Sequence, residues 1–297
     1  MNKYLISILG PTAIGKTKLA INLAEKYSTE IISADSRQFY KELNIGAAKP
    51  SNNDLNRVKH HLINNKSVID NYSIGEFERD AIKNITKIHK KADIAILVGG
   101  SGLYLDVINY GLDQIPKSDE NIRDFLNNEF KLKGLNHIQN ELKEKDLISF
   151  NSIDLNNPRR IIRALEVTIS NGKPYSSFLK KKNNKRNFKT IEIGLKDDRE
   201  LIYNRINNRV DKMIANGLVN EVNDLVQHKE LNSLNTIGYK EVFNYLEGKS
   251  DLDNAINEIK KNTRRYAKRQ MTWFNSNNNI IWFKVNYKIE DIIKCID

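Results

Sequence analysis

The chain has 297 residues, of which 39% are hydrophobic, and its 48 Lys+Arg against 37 Asp+Glu give a formal net charge of +11 at pH 7. That hydrophobic share supports an ordinary core, in one large domain or two modest ones, while a mean hydropathy of −0.57 without about 18 successive apolar residues excludes a membrane-spanning helix. A single cysteine, Cys295, excludes a disulfide scaffold and a cysteine zinc site, and fits a reducing cytoplasm.

The N-terminus carries no basic-then-apolar-then-small pattern, so a cytoplasmic protein without a secretory leader is expected. The charge excess fits a polyanion partner or a bias toward lysine on the surface; where the arginines sit is more informative.

Residues 4–9 (YLISIL) form an apolar, β-branched run that predicts a strand. It leads into Gly10-Pro11-Thr12-Ala13-Ile14-Gly15-Lys16-Thr17, the P-loop pattern of strand, glycine-punctuated turn and helix. Its glycines let successive backbone N–H groups point into one concavity. The following helix, expected over 16–26, adds partial positive charge. Lys16 supplies an ammonium and Thr17 a hydroxyl able to ligate Mg²⁺. Such a loop holds a diphosphate or triphosphate.

A second strand is expected over 30–33, followed by Asp35-Ser36-Arg37-Gln38. Apolar spacing predicts a helix over 74–90 and a third strand over 94–98, ending at Gly99-Gly100-Ser101. The alternation implies a parallel sheet covered by helices, that is, an α/β fold with a P-loop NTPase-like core. An ordinary P-loop ATPase has an apolar strand that ends in Asp; here the strand over 94–98 ends in glycines. Parallel strands align their C-termini, so Asp35 and Ser101 should open onto the phosphate site. Asp35 can then serve as a metal-shell ligand or a general base.

After Pro116 the pattern becomes helical. One helix is expected to start near Asp119, and another has Asn157 as N-cap and Pro158 at its first position, ending at Asn171-Gly172. Arg159 and Arg160 in that first turn oppose the helix dipole, unless an anion joins them. Residues 180–189 read as a basic surface loop, and 190–195 as a returning strand. We therefore expect an all-helical insertion over 116–189, within a core formed by 1–115 and 190–297. The tail is helical, with a short strand near 280–285. Over 260–274 one helical stripe holds Lys261, Arg264, Arg265 and Lys268, and another holds Tyr266, Gln270 and Trp273. That helix suits RNA binding or packing on the core. His60-His61 lacks partners at metal-ligand spacing.

GPTAIGKT, ADSRQFY, GAAKP, HHLI, GGSGLY, NPRRIIRALE, GYKE and AKRQMTWF together resemble the tRNA dimethylallyltransferase (tRNA isopentenyltransferase) family, in its order and over nearly the whole chain. Ser101 stands where that family often has threonine, and no appended zinc finger is present, as in bacterial members. The resemblance implies transfer of a dimethylallyl group from dimethylallyl diphosphate to N6 of the adenosine just 3′ of the anticodon. It implies Asp35 as the base, Ser101 in positioning, and Lys16, Arg209 and Thr17-bound Mg²⁺ around the departing diphosphate. Asp35, Ser36, Arg37, Gln38 and Ser101 would meet the target base or its neighbours. Arg123, Arg159, Arg160, Ile161, Ile162 and Arg163 would form the anticodon-arm surface, with Gly238, Tyr239 and Lys240 as a further RNA contact. A monomer is expected. The rival readings are a prenyltransferase acting on free adenine nucleotides, a P-loop kinase or NTPase, and a non-catalytic RNA-binding protein.

Overall fold

A computed structural model describes residues 2–179 and 186–296; part of the basic stretch 180–189 therefore lies outside the described residues. The chain divides into two compact units, one of residues 1–109 with 186–297 and one of 110–185.

The first unit is built on six strands: β1 (Tyr4–Leu9), β2 (Ile31–Ser33), β3 (His60–His61), β4 (Ile94–Val98), β5 (Lys189–Lys196) and β6 (Ile281–Lys284). Every pairing is parallel, in the order β3-β2-β4-β1-β5-β6. The parallel α/β core expected from the alternation of elements is thus present. Both faces of a central parallel strand are buried, which explains why Leu5, Ile6, Ile8, Ala95, Ile96 and Leu97 are inaccessible to solvent. Two residues carry no periodicity, so β3 had no sequence signal; it forms as an edge strand because β2 offers it a free ladder.

The helices are α1 (Lys16–Lys26), α2 (Asn52–Arg57), α3 (Ile74–His89), α4 (Gly102–Tyr110), α5 (Glu120–Lys133), α6 (Leu135–Lys145), α7 (Leu147–Ser152), α8 (Pro158–Asn171), α9 (Arg199–Ala215), α10 (Leu218–Asn223), α11 (Tyr239–Leu246), α12 (Leu252–Phe274) and α13 (Ile289–Ile293). None is long and apolar enough to cross a membrane among the described residues. Ser73 caps α3 with a full capping box through Glu76, satisfying N–H groups that the helix leaves open. β1 and β4 lie side by side in register, Ile8 opposite Val98, and Val98 also faces Ser33 of β2. The turns after β1, β2 and β4 consequently emerge at one edge of the sheet. Gly99 is required there, because a Cβ would stand 2.3 Å from the Ala34 carbonyl oxygen.

The second unit contains α5 to α8. Its core gathers Leu126, Ile138, Leu142, Ile161, Ile162, Ala164 and Leu165. Asn157 caps α8, its side chain accepting from the Arg160 N–H, and Gly172 ends the helix in the left-handed conformation. Polar residue at the start and glycine at the end are the signals read from the sequence.

Candidate active site

The turns at the C-terminal ends of β1, β2 and β4 open onto a cleft of about 1310 Å³ in the first unit. Thr12, Lys16 and Thr17 line it from the P-loop, Asp35 to Gln38 from the turn after β2, and Arg205 and Arg209 from α9. The loop backbone has the needed shape: Gly10, Ala13 and Gly15 all have positive φ (140°, 63° and 107°). Pro11 and Ile14 are buried beneath it.

Lys16 folds back onto its own loop, donating to the carbonyls of Gly10 (3.0 Å) and Pro11 (2.8 Å). Burial, reinforced by the Arg209 charge and only partly opposed by Asp35, pushes its ammonium down to about 7. Arg209 is likewise lowered by burial and raised by Asp35; it donates to Thr12 Oγ1 at 3.2 Å. Two cations packed together with a single carboxylate nearby form a site that lacks negative charge. A multiply charged anion would supply it.

Asp35 accepts the Arg37 N–H at 2.9 Å, which fixes its carboxylate at the mouth of the turn. The Ser101 hydroxyl lies 3.4 Å from the Ser36 hydroxyl, and Tyr266 of α12 lines the same cleft. Gln270 of α12 joins the two glycine turns: it donates to the Gly100 carbonyl (2.7 Å) and accepts the Thr12 N–H (2.9 Å). From its sequence, Gln270 belongs to the helical stripe of Tyr266 and Trp273, with no role of its own. Its signal was a polar residue between Ala267 and Phe274, both buried. α12 is thus a core helix that also shapes the site. Of its basic stripe, Lys261 pairs with Glu258 and Arg264 bonds Asn207, while Arg265 and Lys268 are exposed.

Several expected RNA contacts have other work. Tyr239 is fully buried, with its hydroxyl on Glu221, and is a core residue; Gly238 is buried beside it, while Lys240 is exposed at the cleft. Ile161 and Ile162 are core residues of the second unit, 0% and 6% exposed. Arg123 and Arg163 bracket the buried carboxylate of Glu166, Arg123 through two bonds. Burial alone would push that carboxyl up, but the arginines outweigh it and hold it below its ordinary range. Arg37 turns its guanidinium to the Ser233 carbonyl at 2.7 Å. Gln38 accepts from the Ser33 hydroxyl. Arg159 and Arg160 are exposed. His60 lines the cleft with Nδ1 on the Val58 carbonyl and Nε2 buried without a partner.

The oxygen donors suit Mg²⁺ in chemistry, since the Thr17 hydroxyl and the Asp35 carboxylate line one cleft and are hard ligands. No group of three or more His, Cys, Asp or Glu able to hold a metal occurs among the described residues. The ion's remaining ligands would therefore come from a bound phosphate group and water.

Fold and cleft together define an α/β protein with a parallel sheet, whose glycine turn, two cations and one carboxylate line a single cleft. The profile described as IPP transferase matches residues 38–277, and the chain belongs to that family. It is 52% identical over 297 residues to a tRNA dimethylallyltransferase of Christiangramia forsetii, covering 100% of this chain and 98% of the relative. It is 49% identical to that of Flavobacterium johnsoniae, covering 99% and 97%. A solved tRNA isopentenylpyrophosphate transferase of Bacillus halodurans matches at TM-score 0.72 and 36% identity, covering 99% of this chain and 94% of that one. A eukaryotic dimethylallyltransferase described as acting on tRNA matches at TM-score 0.82 and 28% identity, covering 96% and 74%.

Proposed function

We propose that this chain is a prenyltransferase that moves a dimethylallyl group from dimethylallyl diphosphate to N6 of the adenosine just 3′ of the anticodon of tRNA, releasing diphosphate. The observation that carries it is the meeting, in one cleft, of the half-buried basic side chains of Lys16 and Arg209 with the carboxylate of Asp35. The strand beside the P-loop ends in Gly99-Gly100, where an ATPase would carry an acid. A P-loop without that acid suits a diphosphate that leaves rather than a triphosphate that is hydrolysed.

The P-loop amides and Lys16 receive the diphosphate of the donor, with Arg209 as the second cation. Binding draws Lys16 away from the Gly10 and Pro11 carbonyls toward phosphate oxygen. The target adenine leaves its stack to enter the cleft. N6 forms a bond to the allylic carbon as the carbon–oxygen bond to diphosphate breaks, and Asp35 takes the N6 proton. Ser101, beside Ser36, positions the exocyclic amine. Mg²⁺, held by Thr17 and the diphosphate, would add positive charge against the leaving group. Arg159 and Arg160 at the start of α8 meet phosphates of the anticodon arm, which makes the helical unit a tRNA-binding module.

The test mixes labelled dimethylallyl diphosphate with bulk tRNA and follows label into RNA. Label in RNA, lost with Lys16→Ala, is expected. Saturable ATP hydrolysis without prenyl transfer would overturn the reading in favour of an NTPase; transfer to free adenine nucleotide but not to tRNA would move the acceptor.

A further inference from the structure

The loop 44–49 (NIGAAK) forms one wall of the cleft, which Gly46, Ala47 and Ala48 line. Its first three amides converge on one carboxylate. Glu221, on α10, accepts the N–H groups of Asn44 (3.0 Å) and Ile45 (2.7 Å) on one oxygen and of Gly46 (3.0 Å) on the other. The Tyr239 hydroxyl donates to the same carboxylate at 2.6 Å. Successive amides that point into one concavity make an anion nest. Here the protein fills the nest with its own side chain, so these amides hold the loop rather than a phosphate. The ring of Tyr239 closes the other side: a Cβ on Gly46 would stand 2.4 Å from its Cε2.

What the latch holds reaches the cations. Past Gly46 the chain turns, the Ala48 N–H donating to the Ile45 carbonyl at 2.9 Å, and Ala48 takes φ +47°, which an L residue rarely adopts. Its carbonyl then accepts from Arg209 and from Gln38, each at 3.4 Å. These contacts are long, as is common before a ligand arrives. They set the direction of a guanidinium whose other end bonds Thr12 in the P-loop.

We infer that Glu221 is a positioning residue for the diphosphate end of the site: through the amides of Asn44, Ile45 and Gly46 it fixes the Ala48 carbonyl, and through that carbonyl it aims Arg209 at the ligand. The inference rests on the donor reading above and adds to it a residue that touches neither substrate. Gln at 221 keeps the shape but turns an amide NH₂ toward backbone N–H donors, which breaks the nest. Phe at 239 removes one of the carboxylate's four bonds and leaves the ring against Gly46.

The test titrates inorganic diphosphate with Mg²⁺ into wild type, Glu221→Gln, Tyr239→Phe and Lys16→Ala by calorimetry, with melting temperatures and donor and tRNA kinetics beside it. Glu221→Gln should weaken diphosphate binding and raise donor KM by roughly tenfold, the lower end for lost supporting contacts, while tRNA affinity stays within about twofold. Tyr239→Phe should move the same quantities in the same direction by less. It serves as the measurement if Glu221→Gln does not fold. Wild-type diphosphate affinity and donor KM in a Glu221→Gln protein with a lowered melting temperature would overturn the inference and leave a purely structural latch. Wild-type protein that binds no diphosphate, or binds it equally after Lys16→Ala, would overturn the donor reading and this inference with it.

Discussion

Lys16 makes donor binding depend on pH in a way that ordinary lysine chemistry does not. In the free protein its ammonium is pushed down to about 7 by burial and by Arg209, so it is half charged at neutrality. The form that binds a diphosphate is the charged one, and a bound diphosphate holds the proton on it. Affinity is therefore complete below the free value and is lost as pH rises through 7. With one proton linked, affinity should fall about twofold from pH 6 to 7, about fivefold from 7 to 8, and close to tenfold from 8 to 9. Lys16→Arg is the reference, since a guanidinium stays charged throughout this range while the ligand's own ionisation is unchanged. Calorimetric titration of inorganic diphosphate at constant ionic strength, wild type against Lys16→Arg, isolates the linked proton as a difference in slope. Parallel profiles from pH 6 to 9 would refute the reasoning, because they would mean that the P-loop lysine is charged before the ligand arrives.

Three further outcomes follow from the same geometry. Asp35→Ala should lower kcat by about 10²–10⁴ as a lost general base while tRNA binds within a few fold; single-turnover rates near wild type would place the base elsewhere. Glu166→Gln should destabilise the helical unit. Breaking a buried pair costs about 3–5 kcal/mol, but Arg123 and Arg163 are 53% and 37% exposed and water replaces part of what they lose, so about 1–3 kcal/mol is expected by denaturant melting. Because the Glu166 carboxyl is held below its ordinary 4.5, its contribution is complete above that value and disappears as pH falls through the folded-state value. In wild type, then, acid should erase the stability difference from the Gln variant. Arg159→Ala with Arg160→Ala should reduce the salt slope of tRNA binding by roughly one unit per lost phosphate contact, to a similar extent across tRNAs; an unchanged slope would make these arginines solvated charge.

The sequence by itself determined the elements whose signals are local. The P-loop was legible because glycine spacing, a strand before and a helix after lie within one short window. The ends of α8 were legible because Asn157, Pro158 and Gly172 act on their own backbone. The shared edge of β1, β2 and β4 followed from parallel alternation, and with it the meeting of Lys16 and Asp35 in one cleft. What only the tertiary structure decided is which polar side chain finds which partner. Arg123, Arg159, Arg160 and Arg163 are alike in sequence, yet a buried Glu166 takes the first and last and leaves the middle two to solvent. Tyr239 stands in a motif that reads as an RNA contact, but the α10 carboxylate and the Gly46 backbone enclose it. Gln270 lies 258 residues from Thr12 along the chain and bonds its amide. Buried polar groups must be satisfied, but the requirement names no partner; the partner is chosen by packing between distant segments, which no local pattern encodes.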